Sequence, residues 1–396
     1  MRIAVVGNFY PGVFRVAPVT TGLVYLLSKS SRVDHVTVYC PFGSCLPPQI
    51  ARERVGLRPS WSPDSISSLA ACALRLARES SGYDALLFNL YLTAFGKNPV
   101  ANGIGLMTPV FLRRLSGRRP VVYMHNFLET EDAAKLGYDV GRFERGVVRM
   151  IESALLEHTE VVVPLPAQRE TIERTFGFHV RQLVIPYVEG ILIAGANRLD
   201  SLSNESAPHS DRTRVLLFGA WGPQKDLAGA LQLLRDVDRQ RPLEVTVAGG
   251  ANPNFPEHAG LLKSLEREFS GPHCRFLGKV PEEMVPSIFQ RADCLLLPYH
   301  AMGGYSGVLS TCALFDVPII AYRVPGIRDF AASLEQPIEL VDPRDPAGFI
   351  RAMDSLDVRR NHLAQLRPDR VELKVEKARS TAEQLVDILE GASLSV

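Results

Sequence analysis

The sequence predicts an α/β protein of two doubly wound parallel sheets that face each other across a cleft. Three observations carry that expectation. Short β-branched runs alternate with helical patterns along nearly the whole chain, the signature of parallel strands covered by helices. A single polar stretch interrupts the alternation near the middle, after which it restarts. At 396 residues the chain is also too long for one ordinary core and fits two.

In the first half, strands are expected at Ile3–Gly7, Val36–Tyr39, Ala85–Asn89, Val121–Met124 and Val161–Val163. Helices are expected near Gly22–Ser30, Ile66–Ser80, Val100–Leu115 and Phe143–His158, closing a first domain over 1–193. Residues 194–214 are rich in Ser, Asn and Asp, with little to bury, and read as a surface linker. The second domain, 215–370, opens on the strand Val215–Gly219. Further strands follow at Glu244–Ala248, Arg275–Leu277, Cys294–Pro298 and Ile319–Tyr322. Its helices are expected at Leu227–Gln240, Ala259–Phe269, Glu282–Arg291 and Pro346–Leu356. In 371–396, Val375, Ala378, Ala382, Leu385 and Leu389 recur at helical spacing and predict a closing amphipathic helix.

Composition excludes several classes. Hydrophobic residues make up 46% and charged residues 22%, an ordinary globular balance. A net charge of +1 gives no electrostatic footprint for nucleic acid, so an anionic ligand must be held by local groups. Six cysteines lack paired metal-ligand spacing; Cys40 and Cys45 have no second pair to complete a zinc site. Cys294 and Cys312 sit in apolar runs and read as buried thiols. No stretch reaches the roughly 18 apolar residues of a membrane helix, and the first residues read as a strand rather than a signal peptide. The expected location is the cytoplasm.

In such sheets ligands bind beyond the carboxyl ends of the strands, and two loops there carry chemistry. After Leu296–Pro298 comes a glycine-containing loop, with Gly303, Gly304 and Tyr305, and a helix that starts at Ser306 or Gly307. A helix N-terminus offers free N–H groups and a positive dipole end to phosphate, and glycines let backbone approach a ligand. The plainer alternative is a strand-to-helix turn in which Ser306 is an ordinary N-cap. The other loop, Gly219–Lys225, places a lysine where a helix opens. A cation is unfavourable at that helix end unless an anion accompanies it. The plainer alternative there is a solvated first-turn lysine.

These residues resemble the retaining glycosyltransferases of the GT-B fold, two Rossmann-like domains, specifically the glycogen-synthase-like group called glycosyltransferase family four. That group reads Gly-Arg-x-x-x-x-Lys-Gly after the first strand of its C-terminal half; here Gly219 and Lys225 match and Ala220 takes the arginine position. Asp316–Ala321 resembles its Gly-x-Pro-Val-Ile-Ala segment, and Val324–Asp329 the Gly-Gly-x-x-Glu stretch. Arg275–Val280 is similar to the strand and loop whose backbone contacts the nucleotide base, which implies roles for Gly278, Lys279 and Val280. In the first half the resemblance rests on the first strand, the helix start at Thr21-Gly22, and Val121–Asn126. The group's two glutamates fall on Gly303 and Thr311, so both carboxylates are missing. Some members carry Ser-Gly-Val-Leu in this segment, as in Ser306–Leu309, which includes Gly307 and Val308.

The resemblance places His125 near the transferring sugar; read alone, it is equally a strand-end histidine bonded to backbone. It also implies that the loop from Gly7 to Gly22 reaches towards phosphate and acceptor, with Asn8, Arg15, Thr21 and Gly22 as candidates and Arg15 as a substitute for the arginine missing at Ala220. Arg113, Arg114, Arg118 and Arg119 form a basic cluster that reads as a solvated helix end. Its alternative is contact with anionic lipid head groups beside a lipid-linked acceptor, which would make the protein peripheral at the inner membrane face.

The resulting expectation is transfer of a sugar from a nucleoside-diphosphate sugar to an unidentified acceptor hydroxyl with retention of configuration, in glycan or glycoconjugate synthesis. His125 and Lys225 are the catalytic candidates, and the closing helix returns to the first domain as in relatives. No metal or other cofactor is expected, because neither 219–225 nor 301–307 contains Asp or Glu. The nearest acids, Asp226 and Asp329, read as a helix-start acid and a surface acid. A sugar-nucleotide epimerase, a sugar phosphorylase and a non-catalytic sugar-nucleotide-binding subunit remain as alternatives.

Overall fold

A computed structural model describes residues 1–11, 17–130, 133–137, 139–188, 190–192, 212–281, 284–302, 304–364 and 367–394. Arg15, Gly303 and nearly all of the expected linker lie outside them. Two sheets, parallel throughout, organise the chain.

The first sheet has the order β3-β2-β1-β4-β5-β6-β7. Its strands are β1 (Arg2–Val6), β2 (His35–Pro41), β3 (Val55–Trp61), β4 (Ala85–Leu90), β5 (Val121–Met124), β6 (Glu160–Val163) and β7 (Arg181–Gln182). The helices are α1 (Ala17–Lys29), α2 (Ile66–Glu79), α3 (Pro99–Ser116), α4 (Arg142–His158) and α5 (Pro166–Phe176). The inner strands are continuous apolar runs because helices cover both faces: all of Ala85–Leu90 and all of Val121–Met124 are buried. Strands β3 and β7 and helix α5 were not expected. The middle of β3, Leu57-Arg58-Pro59, is half-buried to exposed at the sheet edge, so it lacks the apolar run of a central strand.

The second sheet has the order β10-β9-β8-β11-β12-β13. It comprises β8 (Thr213–Phe218), β9 (Leu243–Ala248), β10 (Cys274–Gly278), β11 (Cys294–Leu297), β12 (Ile319–Tyr322) and β13 (Ile338–Val341). Its helices are α6 (Leu227–Asp238), α7 (His258–Phe269), α8 (Val285–Arg291), α9 (Gly307–Leu314), α10 (Ile327–Ser333) and α11 (Pro346–Ala364). Numbered within its own sheet, this order is 3-2-1-4-5-6, the dinucleotide-binding order whose direction of winding reverses between strands 1 and 4. Strand β8 starts at Thr213, two residues inside the expected linker. Helix α10 and edge strand β13 were not expected.

Helix α12 (Arg367–Leu394) starts before the expected position 371 and lies against α1, β4 and β5 of the first half. Ala378, Ala382, Leu385 and Leu389, at i, i+4, i+7 and i+11, are all buried. Arg32, which follows α1, pairs with Asp387 at 2.7 Å and with Glu390, fixing the helix end from outside the core. One hydrophobic cluster runs from Leu23 and Val188 through Leu309 and Leu314 to Leu385, joining the halves.

Candidate functional site

The reversal in the second sheet falls between β8 and β11, and the loops leaving those strands are laced together. Asp226 N–H donates to the Pro298 carbonyl (2.7 Å) and His300 N–H to the Gln224 carbonyl (2.8 Å). Between them Lys225 and Tyr299 form an antiparallel bridge. The lysine is therefore positioned by the loop after β11 as much as by its own. Its ammonium stands 5.0 Å from the Tyr299 ring centroid and 5.5 Å from that of Trp221, and aromatic faces stabilise a cation there.

Gly219 makes this arrangement possible. Its φ is +129°, and a Cβ at that position would meet Lys225 Nζ at 2.7 Å and Val308 Cγ2 at 3.0 Å. The lysine and the first turn of α9 thus converge on the bare face of Gly219. Ser306 caps α9, its hydroxyl accepting from Leu309 N–H at 3.4 Å, which leaves the N–H groups of Gly307 and Val308 at the helix start. The N-cap reading of Ser306 holds, and a capped helix still presents its first N–H groups.

A cavity of about 1110 Å³ lies between the halves. From the second half it is lined by Gly219, Lys225, Val280, Tyr305, Ser306, Gly307, Val308 and Thr311, and from the first by Thr21 and His125. Gly278 and Lys279 do not line it. They stand exposed, and the Gly278 carbonyl is taken by Gly249 N–H at 2.6 Å, so only Val280 of that trio reaches the wall. Gly304 faces the other half instead. With φ +68°, it brings the loop so close that a Cβ would lie 2.4 Å from the His125 carbonyl oxygen.

The candidates in the first half are mostly engaged by the fold. Asn8 is buried away from the cavity, its amide donating to the Ala94 carbonyl at 2.7 Å. Thr21 donates to Ala17 at 2.6 Å. Gly22 is a packing glycine: a Cβ there would lie 2.0 Å from the Val188 carbonyl oxygen.

His125 is held on three sides. Its N–H donates to Leu90 (2.9 Å), its carbonyl accepts from Gln168 Nε2 (2.7 Å), and Nε2 lies 2.8 Å from Asn89 Oδ1. Asn89 spends its own amide N–H on Thr20 Oγ1 at 2.8 Å, so its oxygen faces the ring and Nε2 must carry the proton. Burial pushes the imidazole pKa down to about 3. Near neutral pH the ring is therefore uncharged, with its tautomer set by Asn89. Its edge packs 6.0 Å from the Tyr305 ring across the junction of the halves.

Sequence reading missed Asn89, Gln168 and Gln224. Gln224 is buried on the cavity wall, and its Oε1, itself shielded from solvent, finds no hydrogen-bond partner among the described residues. The two acids nearest these loops stand as a helix cap and a surface acid. Asp226 Oδ1 accepts from Gly229 N–H at 2.8 Å as the N-cap of α6, and Asp329 is exposed. Among the described residues no three His, Cys, Asp or Glu side chains cluster as metal ligands. The cysteines are free thiols, with Cys294 and Cys312 buried.

The basic cluster is largely consumed by the fold's own carbonyls. Arg113 donates to Gly117, Arg118 to Tyr83, and Arg119 to Thr159 (3.2 Å) while pairing with Glu160 at 3.3 Å. Arg114 reaches His158 Nε2 at 3.5 Å. No described helix is long and apolar enough to cross a membrane.

Residues 212–357 match the protein family described as Glycosyl transferases group 1. None of the curated protein sequences matches the chain at a significant level. Solved structures resemble it over essentially their whole length. HepE of Anabaena in complex with UDP-glucose has a TM-score of 0.66 at 12% identity, covering 99% of this chain and 100% of its own. Sucrose-phosphate synthase from Thermosynechococcus elongatus gives 0.63 at 16%, covering 100% and 96%. The catalytic domain of starch synthase IV from Arabidopsis thaliana, bound to ADP and acarbose, gives 0.59 at 14%, covering 99% of each. The chain has the two-domain GT-B fold of these glycosyltransferase structures, and its second half matches the glycosyl transferases group 1 family.

Proposed function

We propose that the protein is a retaining glycosyltransferase of the family-four type, moving a sugar from a nucleoside-diphosphate sugar to an acceptor hydroxyl in glycan or glycoconjugate synthesis. The observation that carries this is the convergence of Lys225 Nζ and the start of α9 on the bare face of Gly219, at the reversal point of the second sheet. UDP-glucose in HepE and ADP in starch synthase IV support a nucleotide donor.

Charge accumulates on the departing diphosphate during transfer. Lys225 and the N–H groups of Gly307 and Val308 meet it with preorganised positive potential, which a water-excluding cleft strengthens. That arrangement needs no divalent cation, and none of the residues 219–225 or 301–307 is acidic. Thr311 and Gln224, on the cavity wall, take over hydrogen bonding to donor hydroxyls where the family has carboxylates. His125, neutral and immobile, shapes the wall beside the transferring sugar and leaves proton transfer to the substrates. Incubation with UDP-, GDP- and ADP-sugars and a panel of acceptors tests the reading, with the anomeric configuration of the product read by NMR. An inverted product removes the retaining assignment.

Gly303 and Thr311, in place of both family carboxylates, favour one second reading: a subunit that binds nucleotide sugar without turnover. Donor binding with no product across that panel would establish it.

A further inference from the structure

The cavity extends beyond the nucleotide loops into the first half, between α3 and α4, where its character changes. There it is lined by Ile104, Met107, Val147 and Ile151, with Val100 and Phe143 as its exposed apolar edge. The two asparagines at this end are tied to backbone: Asn102 accepts from Phe95 N–H at 3.1 Å and donates to the Leu92 carbonyl, and Asn126 accepts from Leu92 N–H at 2.8 Å. Glu144 accepts from Gly141 N–H at 3.1 Å at the start of α4, and Lys97 and Asp139 are exposed. Phe143 is 84% exposed, a large apolar side chain beside a reaction cavity with no core to enter.

We infer that this end holds the apolar portion of the acceptor, a hydroxyl compound carrying an alkyl chain or an aryl group. The inference rests on reading the cavity as a site of glycosyl transfer. Continuity assigns the occupant. The apolar end and the Gly219–Lys225 loop bound one cavity with His125 between the halves, so a molecule presenting its hydroxyl to the donor sugar lays its remainder along α3 and α4. A free oligosaccharide would meet a wall made mostly of apolar side chains there, whereas an apolar group covers Phe143 and Val147 and removes their surface from water.

The test is calorimetric titration of the full chain with methyl, hexyl, octyl and phenyl β-glucosides below their micelle concentrations. Affinity is expected to rise by up to about fourfold per buried methylene from methyl to hexyl. A gain that continues to octyl indicates an alkyl acceptor, and phenyl matching hexyl indicates an aryl one. Phe143→Ser and Val147→Ser should flatten the series, and Phe143 is exposed enough for its replacement to spare the fold. Phe111→Ser and Leu115→Ser, exposed on α3 but outside the cavity lining, should leave the series intact. Equal affinity for methyl and octyl glucoside overturns the inference. So does a series flattened by the α3 surface variants but not by Phe143→Ser, which would point to a lipid-facing surface instead. Nucleoside diphosphates titrated in parallel separate the two levels. A chain that binds nucleotide but ignores chain length sinks this inference alone. One that binds the alkyl series and no nucleotide removes the transfer reading and, with it, the acceptor role.

Discussion

At the ends of β8 and β11 the chain presents a lysine, bare glycine backbone and the start of a helix; at the ends of β4 and β5 it presents Asn89 and His125, each already bonded to a neighbour. Both sheets are doubly wound; β8 and β11 flank the reversal of strand order in the second, whereas in the first the reversal lies between β1 and β4, with β5 one strand further on. One end therefore carries positive potential suited to a diphosphate, and the other is a neutral wall that leads to an apolar recess. On the proposed function, two copies of one architecture divide the labour: electrostatics in the second half, positioning in the first.

The contact that joins these regions should be the most sensitive. Gly304→Ala places a Cβ against the His125 carbonyl at a left-handed φ, and the two penalties together are expected to cost about 2–5 kcal/mol. Denaturant unfolding of the variant measures it, and unchanged stability would mean that the halves are not pressed together at this loop.

Lys225→Ala should leave the fold in place and weaken nucleoside diphosphate binding by about 1.5–3 kcal/mol, the worth of a charged hydrogen bond. Calorimetric titration reads this directly. The equivalent attack on the first half, His125→Ala, should leave nucleoside diphosphate affinity within a few-fold, and equal losses from both variants would erase the division of labour.

The third prediction concerns pH. His125 binds a proton in the unfolded chain near its ordinary 6.5 but in the folded chain only near 3. Its contribution to stability is therefore complete above pH 6.5 and is lost as pH falls from there towards 3, by up to about 1.4 kcal/mol per pH unit. Unfolding curves at pH 7.5, 6 and 5 should show a steeper decline for the wild type than for His125→Gln. Parallel slopes would show that the imidazole takes up a proton inside the fold.

The smallest effect expected is none. Transferase activity should be undiminished by EDTA, since Lys225 and backbone N–H groups supply the charge that a metal would otherwise bring. Activity lost to chelation and restored by Mg²⁺ or Mn²⁺ would show that the second half lacks sufficient positive potential of its own.

The two regions also differ in how far the sequence discloses them. The loop after β11 was legible as structure because its parts are contiguous: a buried strand, glycines, a capping serine and a helix fall within Cys294–Leu314. The surroundings of His125 were not, because Asn89 and Gln168 lie 36 and 43 residues away and meet it only once β4, β5 and α5 are in place. Elements failed to show for a related reason. Edge strands β3 and β13 are half-exposed, so neither carries the apolar run that marks β4 or β12. In the sequence Gly304 reads as room for a ligand and Gly22 as part of a loop reaching towards phosphate and acceptor, whereas each is needed for a close backbone approach that only the tertiary structure creates.

Amide hydrogen exchange with and without a nucleoside diphosphate, chosen from UDP, GDP and ADP by the largest thermal shift, tests the central claim most directly. Slowed exchange is expected in segments covering 219–225 and 305–311, where Lys225 and the Gly307 and Val308 N–H groups would meet the phosphates, with little change at 121–126. Tight nucleotide binding that leaves 305–311 unprotected, or protection centred on the first half, would contradict it.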